Sequence, residues 1–185
     1  MNTRIFLVAP DMITETLLQD CAAAACRVAD CATILVSENT SAKSVEALQT
    51  LNLAVIFKDC EPRKVHDVKA DGLLLSNIDD FKTARDALKT ESLGLLAGVS
   101  RHAAMEAAEL GADFICFTQS KQYSGEPIIA WWQDVTHIPS VALDAVTDAT
   151  LKAQHPDFIR PSDVMWESAD AATATLTSLM DKWSE

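Results

Sequence analysis

The segment Gly98-Val-Ser-Arg-His102 sets a serine between a short apolar run and an amphipathic helix. Ser100 stands where a helix N-cap belongs. Other polar groups fall just past apolar runs: Lys58-Asp59, then Asn77 with Asp79-Asp80, and finally Arg160-Pro-Ser162. At a sheet rim Lys58 is placed to reach a ligand. Asp59 reads equally as a loop residue or a helix cap, and one of Asp79 and Asp80 is expected to cap the helix that opens at Phe81. His102 reads as a first-turn surface residue.

Cysteine and histidine chemistry is less promising. Cys21, Cys26 and Cys31 are five residues apart, and Cys60 and Cys116 stand alone. There is no C-x-x-C and the count is odd, which argues against a disulfide framework. Cys21 and Cys26 lie in an alanine-rich helix, where cysteine behaves as a small apolar residue. His66, His102, His137 and His155 show no i, i+4 pairing, so a zinc site is not expected.

The elements that must position these groups follow from hydrophobic periodicity. Apolar runs at Ile5–Ala9, Ala32–Val36, Leu53–Phe57, Gly72–Leu75, Leu93–Gly98, Phe114–Phe117, Ser140–Leu143 and Phe158–Arg160 have strand length. Between them lie helical patterns at Ile13–Cys26, Ser41–Leu51, Arg63–Val68, Phe81–Thr90, Ser100–Leu110, Ile128–Val135 and Val146–Ala153, and Ala169–Trp183 closes the chain. The strands are apolar throughout rather than alternating, as strands covered on both faces are. Eight strands each followed by a helix predict a small single-domain (β/α)8 TIM barrel over residues 1–185. A doubly wound open sheet is the alternative, but it does not call for eight regular repeats. On the helix at Ile128–Val135, Trp131 and Trp132 cannot both face the core, so one should pack and the other meet a neighbour.

Composition bounds the partners. The chain is 49% hydrophobic, which supplies a substantial core, and it has no run of about 18 apolar residues to span a membrane. The N-terminal apolar stretch is too short for a signal peptide, so a cytoplasmic protein is expected. A formal net charge of −12 argues against nucleic acid and anionic membranes, both of which call for a basic patch. A homodimer is compatible with everything above.

Four motifs in register resemble the family of thiamine phosphate synthases and thiazole tautomerases. They are Lys58-Asp59, Ala70-Asp-Gly-Leu-Leu-Leu-Ser-Asn-Ile-Asp79, Gly98-Val-Ser-Arg-His102 and Gly111-Ala-Asp-Phe114. The family joins a hydroxymethylpyrimidine pyrophosphate to a thiazole phosphate and releases pyrophosphate, an alkyl transfer through a cation-like pyrimidine. The resemblance implies Mg²⁺ held by Asp59 and Asp79, with pyrophosphate and water completing its shell. It also implies Ser100 as the catalytic serine on the pyrophosphate and Lys121 as the counterpart of a catalytic lysine. Lys58, Asn77, Ser100, Arg160 and Ser162 would then hold phosphate on a small phosphorylated heterocycle.

The chain also departs from that pattern. The family's Gln, Arg and Lys after the second strand correspond roughly to Ile34, Val36 and Glu38. Its Asn before the metal-binding Asp is Lys58, and its Arg after it is Cys60. Leu74 and Ser76 replace the His and Gly of the fourth-strand motif, and Asn77 replaces its Gln. Asp144-Ala145 stands where a Gly-Gly cradles phosphate. No histidine lies between Phe117 and His137, so the tautomerase branch lacks its acid–base residue. Two readings follow: an enzyme of the thiamine phosphate synthase type with a partly degraded site, or a non-catalytic relative that binds a ligand or partner and regulates. Another phosphate-binding barrel enzyme is a third, since barrels host many chemistries.

Overall fold

Each of the eight apolar runs forms a parallel strand, and the strands pair in chain order until the eighth returns to the first, closing a barrel. The computed structural model describes residues 3–118, 127–144 and 149–184. Its strands are β1 Arg4–Val8, β2 Cys31–Val36, β3 Ala54–Lys58, β4 Gly72–Leu75, β5 Ser92–Gly98, β6 Phe114–Phe117, β7 Ser140–Ala142 and β8 Phe158–Ile159. The helices are α1 Glu15–Val28, α2 Ala42–Gln49, α3 Pro62–Val68, α4 Phe81–Ala87, α5 Arg101–Glu109, α6 Ile128–Val135, α7 Ala149–Lys152 and α8 Ala169–Ser184. The open sheet is excluded and the (β/α)8 barrel stands.

Period-two alternation along the strands sorts the core into two. One set fills the lumen: Phe6, Leu35, Ile56, Leu74, Phe114, Cys116 and Val141, with Val8, Leu96, Leu143 and Phe158 against them. The larger set lies between strands and helices and includes Leu7, Ile34, Phe57, Leu73, Leu95, Ile115 and Trp132. The lower lumen is plugged by aromatics, with Phe6 6.1 Å from Phe114 and 6.5 Å from Phe158 between ring centroids. Gly94 makes room for that plug, since a Cβ there would come within 2.3 Å of the Phe114 ring.

Three aspartates stitch the N-terminal face. Asp71, Asp113 and Asp157 each precede an even-numbered strand and accept the backbone N–H of the first or second residue of the strand before it. Asp71 Oδ2 accepts from Val55 N at 2.8 Å, Asp113 Oδ2 from Leu93 N at 2.8 Å and Asp157 Oδ2 from Ser140 N at 2.8 Å. Arg85 on α4 donates to Asp113 Oδ2 at 2.8 Å as well. Charged acceptors for these N–H groups are worth more than neutral ones, so each staple stabilises a strand pair.

Local chemistry corrects some expectations. Ser41 and Ser100 cap α2 and α5, accepting from Ser44 N at 3.2 Å and Ala103 N at 3.1 Å. Neither Asp79 nor Asp80 is a side-chain cap. A 3-10 turn, Ile78–Asp80, precedes α4, and Asn77 caps it by accepting from Asp79 N at 3.1 Å. Asn77 is extended there, whereas Asp80 is already helical and its side chain makes no cap bond. Of the tryptophan pair, Trp132 is fully buried and donates Nε1–H to Ile138 O at 2.8 Å. Trp131 lies under the Arg101 guanidinium, 4.6 Å from carbon to ring centroid. All five cysteines are free, and Cys21 and Cys116 are fully buried.

Candidate functional site

A cavity of about 370 Å³ opens at the C-terminal mouth of the barrel, above the aromatic plug. Active sites of such barrels form at this face, from the loops that follow the strands. The floor consists of Val8, Leu35, Leu74, Leu96 and Leu143, and the polar lining of Asp11, Lys58, Thr118, Asp144 and Arg160. The alternation that fills the lumen explains the two cations. Lys58 follows Ile56 by two residues on β3, and Arg160 follows Phe158 by two at the end of β8, so both continue the inward-facing rows.

The two cations differ in what they already hold. Arg160 donates from Nη1 to Leu143 O at 3.3 Å and from Nη2 to Asp163, and its Nε is buried without a partner. Lys58 is exposed and makes no hydrogen bond or ion pair among the described residues. In the closed ring β3 and β7 are four strands apart, so Lys58 faces Asp144 across the mouth. Arg160 is flanked by Asp144 after β7 and Asp11 after β1.

The remaining expected residues ring the mouth without lining the cavity. Asp59, Asp79 and Ser100 all lie just beyond the ends of β3, β4 and β5, exposed to solvent. Asp59 adopts a left-handed backbone (φ 46°), and its carboxylate is taken up by Ser76, whose N–H donates to Oδ1 at 2.7 Å and whose hydroxyl donates to Oδ2 at 2.7 Å. Ser100 spends its hydroxyl on Ala103 N and Asn77 its carbonyl on Asp79 N. Ser162 sits half-buried at the start of a short 3-10 turn, Asp163–Trp166, without a side-chain cap bond. Lys121 and Ala145 lie outside the described residues.

Mg²⁺ requires oxygen ligands in near-ideal octahedral order, supplied by one or two carboxylates together with phosphate and water. Asp59 and Asp79 have the right chemistry, but the Ser76 hydroxyl already holds one Asp59 oxygen and its N–H the other. Among the described residues no three His, Cys, Asp or Glu side chains converge. The donor set therefore does not fit a preformed Mg²⁺ site.

On β2 the inward residue is Leu35, with Ile34 fully buried in the outer core. Val36, at the strand end, joins the cavity wall, so β2 brings no charge there. Cys60 is buried behind Asp59, and burial, with Glu38 nearby, pushes its thiol up to about 11. It stays a protonated, unreactive thiol at neutral pH. The lining residues missed by sequence reasoning include Val8, Leu96, Leu143, Asp11 and Thr118. The first three were signalled by their even spacing from Phe6, Gly94 and Val141; the other two lie in loops, where no period applies.

No protein-family profile matches the chain. The thiamine-phosphate synthase of Erythrobacter litoralis (strain HTCC2594) is 30% identical over 156 aligned residues, covering 74% of this chain and 73% of that protein. The thiamine-phosphate synthase of Rhodospirillum centenum (strain ATCC 51521 / SW) is 26% identical over 187 aligned residues, covering 89% of this chain and 90% of its own. Among solved structures, thiamine phosphate pyrophosphorylase from Pyrococcus furiosus superposes with a TM-score of 0.76 at 15% identity, over 98% of this chain and 95% of that one.

Proposed function

The chain belongs to the thiamine-phosphate synthase family, and we propose that it is a divergent member whose barrel mouth binds a small phosphorylated heterocycle without coupling it to a pyrimidine pyrophosphate at a measurable rate. The charge balance of the cavity carries this reading: Lys58 and Arg160 are offset by Asp11 and Asp144 over an aliphatic floor. A reaction that expels pyrophosphate needs several positive groups where charge develops, and removing a single such group costs about 10²–10³ in rate. The apolar β2 wall at Leu35 and Val36 supplies none. Losses within one site are not independent, so they do not simply multiply.

What remains suits binding. The leucine-rich floor removes the apolar face of a heterocycle from water, and a cavity of this size holds a molecule of one or two rings. The Lys58 ammonium anchors a phosphate there, and the Arg160 guanidinium, held by Leu143 O and Asp163, sets the position of the opposite wall. Incubating the purified protein with hydroxymethylpyrimidine pyrophosphate and thiazole phosphate, with Mg²⁺ present, tests the first half. No thiamine phosphate above the uncatalysed background is expected, and robust turnover would overturn it, showing that Lys58, Lys121 or Arg160 has rebuilt the site. Calorimetry tests the second half, with phosphorylated heterocycles binding to the wild type and not to Lys58→Met.

A further inference from the structure

Resting on the mouth as a phosphate-anchoring site, we infer that it selects amphoteric ligands: an apolar ring with one anionic group at one end and one cationic group at the other, in preference to polyanions. The juxtaposition is Lys58 on β3 facing the acidic side of the mouth, four strands away. On that side Asp144, Asp11 and Asp163 surround Arg160. Among the described residues, the carboxylates on that side outnumber the single guanidinium, and Arg160 is already engaged by Asp163. Among the described residues Lys58 is thus the cation offered to a ligand, and it offers a single charge.

The consequences for recognition are asymmetric. A monophosphate meets the Lys58 ammonium and keeps its remaining charge toward solvent at the exposed rim. A pyrophosphate is longer and more charged, and its second phosphoryl group would extend toward the carboxylates, where like charges repel. A protonated amine or cationic ring at the far end of the ligand is instead attracted to Asp11 and Asp144, and the aliphatic floor between strengthens both contacts by excluding water. The apolar floor sets the shape of the molecule between the two poles: a flat ring of limited size.

Four small probes separate the contributions on the full-length protein by calorimetry. O-Phosphotyramine carries the phosphate and the amine at opposite ends of one ring, 4-(2-hydroxyethyl)phenyl phosphate carries the phosphate with a hydroxyl in place of the amine, tyramine carries the amine alone, and inorganic pyrophosphate is the polyanion. O-Phosphotyramine should bind at least roughly tenfold more tightly than either single-ended ring, as one charge-assisted hydrogen bond allows, and pyrophosphate should give no measurable heat. Lys58→Met should reduce O-phosphotyramine to the level of tyramine. Asp11→Asn with Asp144→Asn should erase the difference between the two phosphorylated rings, with the ring that lacks the amine binding no more weakly than to the wild type. Equal binding of the two phosphorylated rings to the wild type, or tight pyrophosphate binding, would overturn the inference and leave a phosphate-binding mouth standing. Failure of both phosphorylated rings to bind, with far-ultraviolet circular dichroism showing a folded protein, would overturn the phosphate-binding mouth itself and the inference with it.

Discussion

Ser76 holds both carboxylate oxygens of Asp59, with its N–H on Oδ1 and its hydroxyl on Oδ2, each at 2.7 Å. The contact ties the end of β3 to the end of β4, next to Lys58. It also occupies the one carboxylate that a divalent ion between these strands would need most. The family motif has glycine at this place, which could offer the N–H but not the hydroxyl.

Replacing Ser76 with glycine should therefore free Asp59 Oδ2 while keeping the backbone contact to Oδ1. Calorimetry with Mg²⁺ and pyrophosphate should show no heat for the wild type and weak, mutually dependent binding for Ser76→Gly. Adding Asp59→Ala should remove it again. Mg²⁺ binding of equal strength in the wild type would show that the serine does not compete.

The three aspartates on the opposite face carry stability rather than ligand. Removing the acceptor for a buried N–H costs about 1–3 kcal/mol, so Asp113→Ala, which orphans Leu93 N and one Arg85 contact, should lower the unfolding free energy by about that much. Its effect on ligand binding should be absent, since the N-terminal face of a barrel lies away from the mouth. Urea denaturation beside a binding isotherm checks both halves. A large loss of binding with unchanged stability would contradict this division of roles.

Much of the architecture was legible because eight apolar runs alternate with helical patterns, and Ser41 and Ser100 cap the helices where their types predict. Asp71 and Asp113 are instructive in a different way. Both belong to motifs that carry the family resemblance, Ala70-Asp-Gly72 and Gly111-Ala-Asp-Phe114, yet they staple the face farthest from the site. The motifs thus report the fold as much as the chemistry. Lys58 and Arg160 could be read as mouth residues because the inward phase of their strands continues to them. The same rule puts Leu35 in the lumen and Ile34 outside it, a one-residue phase that the apolar run Ala32–Val36 does not reveal, since both faces are buried. Asn77, rather than Asp79 or Asp80, supplies the side-chain cap because the chain starts its turn three residues earlier, through the 3-10 segment Ile78–Asp80.

The pair Arg4–Asp30 gives a pH signature. Arg4 donates from Nε and Nη2 to the two Asp30 oxygens at 2.8 and 2.9 Å, and the hydrogen bond from Arg4 holds the Asp30 carboxyl below its ordinary value. A depressed carboxyl contributes stability that is present above its unfolded pKa and lost as pH falls through the folded one. Both side chains are about half exposed, so the contribution is small, about 0.2–1 kcal/mol. Arg4→Met should therefore be less stable than wild type at pH 7, and the gap should close as the pH falls below about 3.9, the usual range of aspartate. Urea melts at pH 7 and pH 3 measure it, and a gap that persists undiminished at pH 3 would rule out the pair as its source.

Asp144 offers the sharpest test of why the mouth would fail as a coupling enzyme. It lines the cavity at the end of β7, where the family pattern has a glycine pair. Across the mouth from a phosphate held on Lys58, at roughly 10 Å, a unit negative charge still costs a dianion roughly 3 kcal/mol at an effective dielectric of 20. Glycine at this position removes the charge and lets the backbone approach a phosphate closely. Asp144→Gly should then bind thiazole phosphate, whose ring is neutral, at least roughly tenfold more tightly than the wild type, and the gain should disappear when Lys58→Met is added. Its preference for O-phosphotyramine over 4-(2-hydroxyethyl)phenyl phosphate should shrink in the same variant, because the carboxylate that attracts the amine is the one that repels the phosphate. Unchanged thiazole phosphate affinity in Asp144→Gly would mean that Asp144 does not face the phosphate, and that the aliphatic wall of β2 alone limits the site.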